Sequence, residues 1–340
     1  GYGVQLSVNC IKLLNEIGFE KIQNGEKFTP EKIDFYTDKS SKKICELDIS
    51  NYNSKNCKYT TIKRSTLINF LKRDLGDLIK TGYNISKIDQ KDKKIKLSFE
   101  NDETIECDYL IISDGVFSKS KSLISNNQTK PRYNDTLAIR GMITKLPKNI
   151  DNKDISLFLG SDFHYVIYPV SPSGVLNFIA IMKYPLPADK QNDYSLFNDN
   201  SFIKRVLDKV PFAIKDISNN LENLKIFPVF VSDNFYQIKS DKIHLIGDAF
   251  FAFPPSFAQG ASQSIEGAYE LFKNIQNNNE NDFFKKREKR TKMVNIRSKL
   301  NQFAFHFSNP LTVFLRNLVL KRLVKNKKFL EIYLGKIYND

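Results

Sequence analysis

Histidine is scarce in this chain. The 340 residues hold three, His164, His244 and His306. They stand apart, with neither HExxH spacing nor a carboxylate cluster beside them, which excludes the common hydrolytic metal sites. The four cysteines, Cys10, Cys45, Cys57 and Cys107, form no CxxC pair. That speaks against a zinc ribbon or a disulfide framework and for a reducing compartment, so a cytoplasmic location is expected and no metal. A Walker loop and a GxSxG elbow are both missing. No apolar run is long enough to span a bilayer. Acidic side chains are in deficit too, 38 against 52 Lys and Arg, a net charge of +14. The excess is spread along the chain instead of gathered in one stripe. It therefore points to attraction of anionic cofactors and substrates and away from nucleic acid.

What is present is enough for one large or two ordinary globular domains, with 41% hydrophobic residues. The most informative stretch is Lys242 to Ala268, KIHLIGDAFFAFPPSFAQGASQSIEGA. A short buried-type run (Ile243, Leu245, Ile246) turns at Gly247-Asp248, crosses Pro254-Pro255 and reaches Gly260-Ala261-Ser262. Beyond it Ile265, Ala268, Phe272 and Ile275 fall at helical spacing. The layout is strand, turn, rigid loop, helix. A carboxylate just past a strand end can accept hydrogen bonds from sugar-like hydroxyls. Prolines stiffen the loop, and a glycine at a helix start lets backbone amides approach a flat anionic ring. Gly247-Asp248 alone would be an ordinary turn; the ordered string is more specific.

That string resembles the GD motif and flavin-cradling loop of the FAD-dependent aromatic hydroxylases, the group A flavoprotein monooxygenases that include salicylate and hydroxybenzoate hydroxylases. It departs from them at Ser262, where Asn is frequent, and at Phe250-Phe251, where Ala-His is common. A second segment, CDYLIISDGVFSKSKSLI, runs from Cys107 to Ile124 and resembles the family's DG motif. Here Asp114 and Gly115 follow a buried-type strand, and the resemblance links them to FAD and pyridine nucleotide. A third, TTIKRSTLINFLKRDL, resembles the family's I-x-R-x-x-L segment, with Arg64 at the position that approaches the pyrophosphate. A guanidinium fork suits two phosphate oxygens at once. A lone helix-start arginine would otherwise be read as solvated.

The chain opens with a glycine-flanked turn and an amphipathic helix (apolar Val8, Ile11, Leu14 and Ile17) stopped near Gly18. In the resemblance this segment follows a strand, a GxGxxG turn and a helix that hold the ADP half of FAD. That unit is not in the sequence, so we expect an N-terminally truncated chain with weakened FAD binding. Strands are expected at Ile33–Tyr36, Lys43–Leu47 and Tyr59–Ile62, and a hairpin meander over Ile85–Ile105. From Pro131 to Val231 longer alternating strands (LAIRGMITKL, ISLFLG, HYVIYPVS, GVLNFIAIMKY) predict an antiparallel sheet with one buried face. A helix is expected around Phe202–Val210. FHYVIYPV resembles the family's substrate-facing strand, which makes His164 and Tyr168 catalytic candidates, because imidazole can take a phenolic proton near neutral pH. A structural histidine is an equal reading, and Arg140 reads as surface charge. The basic tail resembles the family's C-terminal bracing helices; Leu311, Phe314, Leu315 and Leu318 beside basic residues leave a peripheral membrane contact open.

The expected fold is α/β: a Rossmann-like, glutathione-reductase-type FAD/NAD(P)-binding domain, an antiparallel-sheet substrate domain and C-terminal bracing helices. The expected boundaries are 1–130 and 232–280 for FAD binding, 131–231 for substrate and 281–340 for the helices. The resemblance implies a monooxygenase using FAD, NAD(P)H and O2 through a flavin C4a-hydroperoxide to hydroxylate a small aromatic, phenolic-acid-like substrate, as monomer or homodimer. A quinone-precursor hydroxylase, another flavoprotein oxidoreductase on the same scaffold, and a non-catalytic remnant are the alternatives.

Overall fold

The structure, a computed structural model, describes residues 1–91, 94–124, 130–143, 153–210, 217 and 220–339. The chain divides into two compact units. One comprises Gly1–Phe70, Tyr133–Val229 and Lys299–Asp340; the other comprises Leu71–Arg132 and Phe230–Ser298. The segment read as 1–130 is thus shared between them at Phe70, and the C-terminal helical segment at Ser298.

The first unit is built on a seven-stranded sheet. Its strands run in the order Leu221–Val231, Arg132–Ile143, Leu176–Lys183, Phe163–Pro169, Ile155–Leu159, Lys32–Thr37, Lys43–Asp48. The expected antiparallel meander is there: Val170 N–H donates to Val175 O at 3.1 Å, closing the turn at Ser171 to Gly174. Residues 144–146, read as the end of the first of these strands, lie outside the described residues. Two features differ from expectation. The N-terminal strands Lys32–Thr37 and Lys43–Asp48 extend the same sheet, through a parallel pairing of Lys32–Thr37 with Ile155–Leu159. The central strands are also buried on both faces, since every residue of Ile155–Leu159 is buried and nearly every residue of Phe163–Pro169. ISLFL and HYVIYP are near-continuous apolar runs, not alternating ones, and such runs suit a sheet covered on two sides.

Register in the sheet centre is marked by stacked aromatic rings on three adjacent strands. Tyr36 stacks on Phe158 at 4.8 Å and Phe158 on Tyr165 at 4.4 Å, each pair directly opposite in the ladder. A smaller sheet pairs Gly3–Leu6 and Lys27–Phe28 with Thr60–Lys63. The opening helix, Val8–Asn15, buries Val8, Ile11 and Leu14. Ile17 lies beyond its end and is exposed, because the chain leaves the helix toward Gly18, whose φ is +85°. The helix expected near Phe202 spans Asn200–Asp208, with the Asp199 carboxylate accepting from Phe202 N–H at 2.6 Å as its cap.

The second unit holds a three-stranded antiparallel meander, Ile85–Lys91, Lys94–Phe99 and Thr104–Cys107, and a parallel pair, Leu110–Ile112 with Ile243–Leu245. Ile95, Leu97, Phe99, Ile112, Leu245, Phe250 and Phe251 form its core. The departure at Phe250-Phe251 is explained here. Phe251 stacks on Phe235 at 4.1 Å, and Phe250 meets Phe235 and Phe284 edge-on, so both rings are packing side chains.

His164 is buried and His306 half-buried, both in the first unit, and they are joined Nδ1 to Nε2 at 2.9 Å. Desolvation, and for His164 also its histidine neighbour, holds its pKa well below 6.5; desolvation brings His306 down to about 4. Both rings are therefore neutral when folded, whereas the unfolded chain protonates near 6.5 and binds more protons below that pH. The stability they contribute is whole above pH 6.5 and is lost as pH falls toward about 4. Thermal melts across that window show a falling midpoint, and His306→Gln flattens the slope; a parent midpoint that does not move overturns the assignment.

Candidate functional site

The two acid–glycine turns are brought together by one pairing. Ile243–Leu245 runs parallel to Leu110–Ile112 in the register Ile243↔Leu110, and Ile246 N–H extends it by donating to Ile112 O at 3.0 Å. Asp114-Gly115 and Gly247-Asp248 therefore leave adjacent strands at the same, carboxyl end. In open α/β sheets that is where ligands bind.

Past the first strand, Gly115 has φ +87° and Asp114 turns back to accept from Ser120 N–H at 3.0 Å, at the start of the helix Lys119–Ile124. One carboxylate oxygen of Asp114 thus has a structural task. From the same helix Lys121 is buried, and its Nζ donates to Ala249 O at 3.5 Å, tying the two turns together. Burial lowers the Lys121 pKa, opposed by Asp114.

Past the second strand, Gly247 has φ +59°, a left-handed conformation that favours glycine. A Cβ there would sit 3.2 Å from Ser264 Oγ, so the turn lies close against the helix Gly260–Gln276. Asp248 is reached by solvent, yet protein crowds it closely enough that desolvation pushes its pKa up. The loop that follows is fixed at both ends. Ser232 and Ala252 exchange hydrogen bonds (2.8 and 3.0 Å), and Ser298 Oγ donates to Pro254 O at 2.5 Å. Pro255–Phe257 forms a single 3-10 turn, and Ala258 takes an unusual φ of +52° just before the helix.

Gln259, at the N-cap of the helix that starts at Gly260, makes no side-chain capping hydrogen bond. A Cβ added to Gly260 would meet nothing within 4 Å, so the space beside its Cα is open. Asp248, Gly260 and Ser264 line one narrow recess. Ser262 is fully buried and does not line it. A separate cavity of about 410 Å3 is lined by Tyr236, Asp241, His244, Phe250, Glu280 and Phe283, among others, and holds none of the predicted site residues.

The helix behind the recess is held by a network that sequence reasoning passed over. Arg287 donates to Glu266 Oε1 (2.8 Å), to Gln263 O (2.9 Å) and to Gln263 Oε1 (2.5 Å), and Arg290 grips both oxygens of Glu266 at 2.7 and 3.0 Å. Burial alone would raise the Glu266 carboxyl, but the bonds and charges of Arg290 and Arg287 outweigh it and hold it below the usual carboxylate range. The buried residues of Gly260–Gln276 are thus Ser262, Gln263, Gly267, Leu271 and Asn274, not the expected stripe, and Phe272 is exposed. The signal lay in Glu266 and Glu270 at i,i+4 and the Arg287-x-x-Arg290 spacing, which put like charges on single faces of two successive helices.

The remaining candidates belong to the first unit. Arg64 is exposed at the first residue of the helix Arg64–Lys72. His164 is enclosed with His306. Tyr168 is buried, its phenol pushed up by desolvation, with Arg140 and a hydrogen bond from Gln5 opposing. Arg140 is half-buried and lies over the Tyr2 ring, so it is a packed cation and not simple surface charge.

A model described as "FAD binding domain" matches residues 72–279. The chain belongs to that family. Among relatives, it is 26% identical over 215 residues to the FAD-dependent monooxygenase pigN of Monascus ruber, covering 57% of this chain and 47% of that one. It is 25% identical over 244 residues to a salicylate hydroxylase of Pseudomonas putida, covering 62% and 53%. The chain therefore spans about half the length of these curated relatives. The fold matches that of Klebsiella pneumoniae HpxO complexed with FAD and uric acid, at a TM-score of 0.83 and 13% identity over 98% of this chain and 88% of that one. The chain thus has the α/β fold of that structure, and its two acid–glycine motifs are similar to those of the FAD-dependent hydroxylases.

The Arg287 network is what keeps the Gly260 end in position. Arg287→Met leaves buried acceptors unpaired and lowers unfolding free energy by about 3 kcal/mol, measured by denaturant titration. A loss below about 0.5 kcal/mol would mean the network is dispensable.

Proposed function

We propose that this chain is the catalytic body of a monooxygenase that hydroxylates a small, phenolic-acid-like aromatic with FAD, NAD(P)H and O2. One oxygen atom enters the ring as a hydroxyl, the other leaves as water, and NAD(P)H is oxidised. The observation that carries the reading is the pair of acid–glycine turns at one end of two adjacent parallel strands, beside a helix start whose N-cap residue makes no side-chain capping bond, with open space beside the Gly260 Cα. We assign FAD binding to residues 1–130 and 232–280, the substrate to 131–231, and bracing to 281–340.

The residues fit the cofactor by their own chemistry. Asp248 is reachable, and desolvation favours a hydrogen-bonding partner for its carboxylate, as ribityl hydroxyls would supply. Gly260 and Ala261 offer amides at a helix N-terminus, suited to negative charge on the ring, with the buried Ser262 next in the chain. Pro254 and Pro255 hold the loop edge, Asp114 and Gly115 shape the neighbouring turn, and Arg64 suits the pyrophosphate. When bound, FAD supplies the redox chemistry and the activation of O2. The protein positions the substrate ring and excludes water. On the substrate side we assign His164, kept neutral by burial, to accept a hydrogen bond from the substrate phenol and Tyr168 to orient the ring.

Flavin retention tests the cofactor side. Asp248→Ala keeps the parental melting profile in the absence of FAD and binds FAD about tenfold to a hundredfold more weakly, the loss expected for hydrogen bonds to a charged group. Affinity equal to the parent's would remove Asp248 from the site. For the substrate side, His164→Asn leaves FAD affinity unchanged and slows NAD(P)H-dependent hydroxylation of phenolic acids by about a hundredfold. Undiminished turnover would return His164 to a packing role.

A further inference from the structure

The helix Pro310–Leu323 is oriented against expectation. Its inner face carries Arg316, which is 6% exposed and donates to Phe305 O at 3.3 Å and Ala304 O at 3.4 Å, capping the carbonyl end of the helix Glu280–Phe305. Its Nε also bonds Asn317 Oδ1 at 3.1 Å. Burying that guanidinium fixes the helix rotation and turns its apolar row outward. Leu311 (65%), Phe314 (58%), Leu315 (49%), Leu318 (44%) and Val319 (52%) are all exposed, at the i, i+3, i+4, i+7, i+8 spacing of a single face. A helix packed through this row would bury it; here the helix packs through Arg316 and the row is unpartnered among the described residues.

The charge around it names the occupant. Residues 309–330 contain no Asp or Glu, while Lys321, Arg322, Lys325, Lys327 and Lys328 are exposed and make no ion pair among the described residues. A second copy docked on this face would bring equally uncompensated cations and no acidic partner for them. An anionic lipid surface supplies both things the face lacks, an apolar layer for the leucines and phenylalanine and negative headgroups for the lysines. We propose that this helix docks the protein peripherally on an anionic membrane, with Leu311, Phe314, Leu315 and Leu318 entering the interface and the basic cluster at its C-terminal end holding headgroups. No helix of the described residues is long and apolar enough to cross a membrane, so the contact is one of lying on the surface. The proposal does not depend on the reaction assigned above.

Co-sedimentation with vesicles decides it, using phosphatidylcholine alone and phosphatidylcholine mixed with phosphatidylserine, on the full chain. The protein sediments with the mixed vesicles and not with the neutral ones. Neutralising three cations (Lys321→Gln, Arg322→Gln, Lys325→Gln) weakens that binding by about a hundredfold at low salt. Leu315→Glu with Leu318→Glu abolishes it, and both variants keep the parental melting midpoint because the changed side chains are solvent-exposed. Failure to sediment with either vesicle, or binding that neither variant alters, overturns the proposal. So does a dimer in light scattering that Leu315→Glu with Leu318→Glu converts to monomer, since the face would then belong to a second copy.

Discussion

Three residues of parallel pairing, Ile243–Leu245 against Leu110–Ile112, underlie the candidate site. Each strand ends in an acid and a glycine, and each turn alone is ordinary. Side by side they set two carboxylates and two sharp backbone turns at one sheet end. The buried Lys121 links them by reaching from the first turn's helix to the second turn's backbone. The aromatic core beneath, with Phe250 and Phe251 packed on Phe235, keeps the second turn from relaxing. At this dipeptide both side chains serve packing.

The same unit shows how polar groups can hold a helix whose buried face is mostly not apolar. Gly260–Gln276 turns Gln263, Glu266 and Glu270 toward Arg287 and Arg290, and Gly267 gives Arg287 room to lie flat, since a Cβ there would be 3.2 Å from Nε. Such a network is costly to bury and costlier to half-remove. It fixes the helix in one rotation, which matters when the first-turn amides at Gly260 must point into a recess. In the other unit Arg316 sets a helix rotation in the same way, by capping carbonyls, and there it leaves apolar side chains in solvent. Two buried arginines thus settle two helix orientations, one facing the candidate site and one facing outward.

The succession of elements was legible along the chain. Strand, turn, proline loop and helix over Lys242 to Gln276, the meander over Ile85–Cys107, the hairpin at Ser171 to Gly174 and the helix around Phe202 follow from local rules of turn chemistry and period. Those rules act over a few residues, and nothing distant overrode them. The misread points were facial. Phe272 and Ile17 were placed inward and are exposed, and the substrate-side sheet was given one buried face where its centre has two. Hydrophobic spacing tells which residues share a face; it does not tell what that face meets.

By itself the sequence determined the motifs, their order and the conformations that glycine and proline impose, because backbone sterics at Gly247, Pro254 and Gly260 are local properties. Only the tertiary structure decided that residues more than a hundred positions apart form one strand pair, that His164 is enclosed with His306, and that Arg287 and Arg316 set the rotations of their neighbouring helices. Those outcomes depend on which desolvated polar group finds a partner across long sequence separations. Pairing of that kind is settled by packing in three dimensions and leaves no period in the chain.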